Sequence, residues 1–319
     1  MLSRKKPDLK KVLIAIIIVI VCFATVSLIA TKVVYDSIFT RYDCAVTDFP
    51  KAVSETVSMR EEVGYPSGEN MLSGYLYRSR GEADKNTLIV LATGHNACSD
   101  SYIWQIHELL ELGWSVLAFD STGCCKSEGK STIGFPQELC DMRATLDYLK
   151  ENNNLGYGDV VLLGHSRGGY AACCALSYGY DVSAVVSVSG VNSAMEGIMS
   201  ASVERVGPVA YANYGFLWLY QTMLFGSETV NMRADRVLKE TDTPVLLVHG
   251  EDDTQIPADK FSIMSYKDSL QGGNVEFIMR SYPSNAGHTN LLFDDDGTAD
   301  DELIEIINNF LLEKLDKVG

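Results

Sequence analysis

A serine set among glycines opens the chemistry of this chain: Gly164-His165-Ser166-Arg167-Gly168-Gly169. The pattern G-x-S-x-G is common by chance, so its surroundings decide its meaning. Here the apolar run Asp159–Leu163 leads in and the small residues of YAACCALSYG lead out, as a strand and then a helix would. A serine at so sharp a turn takes a strained backbone, and the flanking glycines leave room for neighbouring strands. The turn lifts the hydroxyl to the positive end of the following helix, where the backbone N–H of Arg167 is aimed at a developing oxyanion. A serine hydroxyl needs a base, and the chain holds five histidines. His165 points away from Ser166 in such a turn. His107 lies in a helical pattern and His249 ends an apolar run, both structural positions. His95 follows the run Thr87–Ala92 and borders the same edge. His288 lies in the loop Asn285-Ala286-Gly287-His288-Thr289, after the last strand pattern (Val275–Met279), from where an imidazole can reach over a sheet edge. For the acid that orients the imidazole, Asp252 and Asp253 compete in the turn after Pro244–His249.

A scaffold must deliver these residues, and the patterning describes one. The runs Thr87–Ala92, Ser115–Asp120, Asp159–Leu163, Ser183–Val188 and Pro244–His249 are nearly unbroken in apolar residues, as strands covered on both faces are. Helix-period segments (Tyr102–Leu112, Gln137–Glu151 and the stretch after Ser166) separate them, which implies βαβ units and a mostly parallel sheet. Glu55–Glu61 and Met71–Ser79 have no helix between them and read as an antiparallel hairpin at one edge. Asp300–Lys317 places Leu303, Ile304, Ile307, Phe310, Leu311 and Leu315 on one helical face, with Thr298 as its cap. Only residues 191–241 interrupt the alternation.

The 319 residues carry 26 basic and 42 acidic side chains, a net charge of −16. Residues 1–11 hold five basic groups against Asp8, so everything after them sums to −20. Such a body repels phosphate backbones, and nucleic acid is not an expected partner. Between Lys11 and Lys32 run twenty uncharged residues, 12–31. As a helix they cover about 30 Å, the thickness of a bilayer's hydrocarbon core. The stretch is longer than the apolar region of a cleavable secretory signal and lacks a small-residue cleavage site. The sequence therefore reads as a basic cytosolic tail (1–11), a transmembrane anchor in the lipid bilayer (12–31) and a stalk (32–50), followed by a body at 51–319. The positive charge before the span places the body outside a cell membrane crossed once.

From about residue 55 to its end the chain resembles the α/β-hydrolase superfamily. Trp114–Gly129 (WSVLAFDSTGCCKSEG) is similar to a segment typical of it: Asp120, Gly123 and Ser127 match, while Thr122 and Cys125 stand where Arg and Gly are usual. Asp141–Leu149 resembles the helix that precedes the nucleophile strand. The order serine, acid, histidine is that of the superfamily and implies His288 as the base. Gly250–Pro257 resembles the pattern G-x-x-D-x-x-V-P, with Ile256 for Val, which selects Asp253 over Asp252. Many members carry His-Gly in the loop after the first parallel strand. By that resemblance Thr93 replaces the histidine, and the backbone N–H of His95 joins that of Arg167 as an oxyanion donor. The implied architecture is a mostly parallel eight-stranded sheet with helices on both faces and a small helical cap at about 191–241.

The implied reaction is hydrolysis of an ester, thioester or amide through an acyl-enzyme on Ser166, His288 and Asp253, with no cofactor and no metal. A carboxylester or lipid ester ranks first. An aminopeptidase-like serine peptidase is the alternative, with Glu196 and Glu204 as carboxylates for a peptide amine, and a catalytically silent binding module is a further one. The cap region is rich in aromatics (Tyr211, Tyr214, Phe216, Trp218, Tyr220, Phe225) that suit either an apolar lid or an anchor onto the core. Cys173 and Cys174 read as small core residues, and Cys98 falls on a loop neighbouring Cys124 and Cys125, where one disulfide is conceivable.

Overall fold

Strand and helix alternate through the body as the patterning requires. A computed structural model describes residues 8–43, 49–79, 85–281 and 286–315. The strands are β1 (Glu61–Ser67), β2 (Asn70–Tyr77), β3 (Thr87–Ala92), β4 (Ser115–Phe119), β5 (Asp159–His165), β6 (Ala184–Val188), β7 (Val245–Gly250) and β8 (Val275–Arg280). They form one sheet in the order β1-β2-β4-β3-β5-β6-β7-β8. β2 runs antiparallel to both neighbours, and all other pairs beyond it are parallel.

The helices are α1 (Leu9–Ile38), α2 (Lys51–Ser58), α3 (Ile103–Glu111), α4 (Phe135–Glu151), α5 (Arg167–Ala175), α6 (Ala194–Val206), α7 (Tyr214–Val230), α8 (Ala234–Val237), α9 (Lys267–Leu270) and α10 (Asp301–Leu315). Successive side chains of a strand point to opposite faces, so each central strand serves two cores. Leu88 and Val90 of β3 pack with α4 and α5 on one face, while Ile89 and Leu91 pack with α3 and α10 on the other. Burial on both sides explains why these strands show no polar alternation. α6, α7 and α8 fill the interval between β6 and β7 and form the helical cap.

Three expectations need correction. Glu55–Glu61 is not a strand: residues 51–58 form α2, because Val53 and Thr56, three apart, share one buried face. The edge hairpin exists, but its first strand is β1, paired through Pro66 with Met71 across a two-residue turn at Gly68 and Glu69. Proline is tolerated there because an edge strand leaves one row of N–H groups unpaired. The last helix is capped by Asp300, whose Oδ1 accepts from the Leu303 N–H at 2.7 Å, and not by Thr298.

Helix α1 also continues past the expected end of the span at residue 31, as far as Ile38. Tyr35 and Phe39 are buried in the same core as α4 and α5. Arg41 donates to the carbonyls of Ser127 (3.0 Å), Gly129 (2.9 Å) and Cys125. Residues 32–43 are therefore docked onto the body. The basic tail up to residue 7, residues 44–48 of the expected stalk with Cys44, Asn285 of the sequence leading to His288, and residues 316–317 of the expected last helix lie outside the described residues.

Candidate active site

The sheet register collects the candidate residues. Pairing of Ala92 with Gly164 sets the loop after β3 beside the end of β5, and pairing of Gly250 with Arg280 aligns the ends of β7 and β8. Ser166 sits between β5 and α5 with φ 56° and ψ −116°, a strained conformation for a residue with a side chain. The glycines act by sterics. A methyl group at Gly164 would strike the carbonyl of Gly168, and one at Gly168 would strike the carbonyl of Ala92.

His288 reaches over this edge as its loop position suggests. Its Nε2 lies 2.9 Å from Ser166 Oγ, and its Nδ1 lies 2.7 Å from Asp253 Oδ2. Burial raises the Asp253 carboxyl, but hydrogen bonds from His249 and His288, the electrostatic interaction with the His288 ring and the Ile256 N–H outweigh it. The carboxyl is held well below its usual range. An ionised carboxylate only accepts, so Nδ1 of His288 carries the proton and Nε2 is left to accept from the Ser166 hydroxyl. Oδ1 of Asp253 accepts from the N–H groups of Gln255 (3.0 Å) and Ile256 (2.8 Å). Asp252, the competing acid, is exposed.

Two other histidines brace the arrangement. His165 is buried and turned away from Ser166; burial takes its pKa down to about 3, so the ring is neutral. Its Nε2–H donates to the carbonyl of His288 at 3.1 Å, and its Nδ1 lies 2.8 Å from the Tyr102 hydroxyl. That hydroxyl accepts from the Gly94 N–H at 2.9 Å. A chain of hydrogen bonds thus ties the loop after β3 to the loop that carries His288. His249 Nε2 lies 2.9 Å from the Ile256 carbonyl and 3.2 Å from Asp253 Oδ2, while Ser262 engages its Nδ1. Beyond the structural position expected of it, His249 therefore touches the acid directly.

Arg167 opens α5, and the N–H of a helix's first residue has no partner within its helix. Its guanidinium is buried and pairs with Glu138 at 2.7 Å, both groups almost wholly excluded from solvent. Burial pushes the Glu138 carboxyl up to about 7 against the pull of Arg167. Nothing local in the sequence marks this pair, whose members stand 29 positions apart. His95 lines a cavity of about 350 Å³ together with Ser166, His288, Gln255 and Phe293. Its ring stacks on Phe135 and meets Phe39 edge-on, and burial lowers its pKa to about 3.

Residues 87–211, from β3 into the cap, match the family model of the alpha/beta hydrolase fold. The match takes in Ser166 and ends before Asp253 and His288. This is the α/β-hydrolase fold, and the resemblance seen in the sequence is borne out. Among solved structures, this chain is similar to an esterase from Pyrococcus furiosus, Pf2001, at 18% identity and TM-score 0.64 over 87% of this chain and 98% of that one. It is also similar to Est1E from Butyrivibrio proteoclasticus with ferulic acid bound, at 20% identity and TM-score 0.60 over 80% and 99%. A third likeness is to a predicted CIB-like hydrolase from Thermoplasma acidophilum, at 17% identity and TM-score 0.51 over 80% and 98%. No curated protein matches the chain.

Within this fold, several sequence features serve the scaffold. Asp141 accepts from Ser67, Thr122 and Gln137, and Asp120 accepts from Ser99, which fixes the loop after β4. Glu196 is engaged by Asn192, Ser193 and Tyr266, so it is not held out for a peptide amine. The cap aromatics do not line the Ser166 cavity; Tyr220 packs on Tyr35 and Phe216 on Phe23, both of α1. No disulfide joins Cys98 to Cys124 or Cys125. Cys98, Cys125 and Asp120 bring three ligand atoms within 4.8 Å of one another, one short of a closed zinc shell.

Proposed function

We propose that the protein is a membrane-anchored serine hydrolase that cleaves a carboxylic ester or thioester. The observation that carries this reading is a single imidazole, His288, within hydrogen-bond distance of both a strained serine and a buried carboxylate. Ser166 Oγ attacks the carbonyl carbon as His288 Nε2 takes its proton. The oxyanion forms against the backbone N–H groups of Arg167 and His95. His288 then gives the proton to the leaving alcohol or thiol. Water enters, loses a proton to His288 and attacks the acyl carbon; the acid departs and Ser166 regains its proton. Asp253 holds the imidazole tautomer throughout. No step calls for a cofactor. One of the similar structures is named as an esterase and another holds ferulic acid, and the sequestration of Glu196 removes one anchor a peptidase would use.

The span at 12–31 is read as an uncleaved anchor with the tail cytosolic and the catalytic domain outside. α1 has the length and composition to cross a bilayer.

The test is labelling of the full chain in detergent or vesicles with a fluorophosphonate, beside Ser166→Ala and His288→Ala. Labelling of the wild type alone is expected; a folded wild type that fails to label overturns the reading. A chain-length series of nitrophenyl esters, set against aminoacyl amides, separates esterase from peptidase.

A further inference from the structure

The apolar span does not stand clear of the body. Phe23, in its middle, meets Phe216 of the cap edge-on at a centroid distance of 6.1 Å. Further along, Thr31 hydrogen-bonds Asn213, and the Tyr220 hydroxyl donates to Asp36 at 2.8 Å. Between α1 and the cap lies a groove of about 370 Å³ where Val26, Ala30 and Val34 face Ile198, Met199 and Leu217. From Phe23 to residue 31, the end of the uncharged run, is about 12 Å of helix axis at 1.5 Å per residue. If residues 12–31 fill the hydrocarbon, the cap edge sits beside that depth of hydrocarbon. Sliding the helix outward to lift it clear would draw Lys10 and Lys11 into the apolar layer, where a charged side chain is costly.

The cap surface has the composition this depth demands. From Val206 to Ser227 there are 22 residues without a charge, in a chain that is 21% charged. Among the described residues outside α1, ten large hydrophobics are exposed, and seven of them fall between Val206 and Leu224. Val209 is 67% exposed and Met223 71%. Tyr211 and Tyr214, also exposed, suit the headgroup boundary, where tyrosines gather. An exposed apolar patch of this kind marks a binding surface, and its continuity with the span names the occupant.

We propose that the cap is immersed in the bilayer that α1 crosses, and that the substrate is an ester carried by a lipid of that leaflet. The groove beside α1 then receives an acyl chain directly from the hydrocarbon. The proposal rests on the anchored-hydrolase reading above, and its test separates the two.

The full chain is reconstituted in phosphatidylcholine vesicles whose acyl chains carry a diazirine, irradiated and digested with trypsin. No Lys or Arg lies between Arg205 and Arg233, so the cap surface is recovered as one peptide. Label is expected in that peptide and in residues 12–32, but not in β1 or α10. Label in 12–32 with none in 206–233 overturns the proposal, and cross-linking between copies through Met223 in that case gives the face to a second chain. Absence of label from 12–32 instead overturns the anchor, and with it the premise. In a second arm, Val209→Asp with Met223→Asp is expected to keep turnover of soluble nitrophenyl acetate within twofold of wild type. The same variant should lower turnover of a long-chain ester held in vesicles at least tenfold. Equal change in both substrates overturns the lipid-borne assignment. A wild type inactive on both esters sinks the hydrolase reading, and one active on nitrophenyl acetate alone overturns the lipid-borne assignment; the labelling still decides whether the cap is immersed.

Discussion

Asp253 answers to two imidazoles, His288 at 2.7 Å and His249 at 3.2 Å, with two backbone N–H groups on its other oxygen. On the proposed mechanism Asp253→Asn leaves the fold intact but favours the wrong tautomer, and kcat for a nitrophenyl ester is expected to fall about 10⁴-fold. The lowered carboxyl also links stability to pH. A group depressed on folding stabilises above its unfolded value of about 3.9, and that contribution is lost as pH falls through the folded value. Urea denaturation of the wild type should therefore show stability dropping below about pH 4, a slope that Asp253→Asn should lack. That Ser166, Asp253 and His288 meet was readable from their order and from the strand ends they follow. The bracing by Tyr102 and His165 was not, because it joins groups 63 positions apart that only the sheet register brings together.

At the scale of elements, the turn between β5 and α5 depends on a buried ion pair as much as on its glycines. Arg167 and Glu138 pin the start of α5 to the start of α4. Removing one partner leaves an uncompensated buried charge, so Glu138→Ala is expected to cost about 3–5 kcal/mol by chemical denaturation. The strands from β2 onward were legible to within two residues because continuous apolar runs have few other solutions in a sheet covered on both sides. β1 escaped detection because Glu61–Ser67 contains both Gly64 and Pro66, the residues least typical of a strand. Gly68 makes the tight turn that recruits it.

The whole molecule departs most from its sequence reading where the stalk was expected. Spans are recognised by what they lack, so a pattern argument ends at the first charge, Lys32. Tyr35 and Phe39 beyond it are core residues of the body. Phe39→Ala is expected to cost about 3–5 kcal/mol and to perturb the cavity wall by releasing the His95 ring, read as a changed KM for a soluble ester. A chain starting at residue 32 should keep the wild-type denaturation midpoint more closely than one starting at residue 49. On the proposed anchored topology, the Arg41 clamp has a last consequence for turnover. A protease that severed the backbone between residues 43 and 49 would not shed the catalytic portion, because the fragment below the cut stays gripped by Tyr35, Phe39 and three carbonyls. Such a nicked enzyme should remain in the membrane pellet through a salt wash and appear in the supernatant only after denaturation.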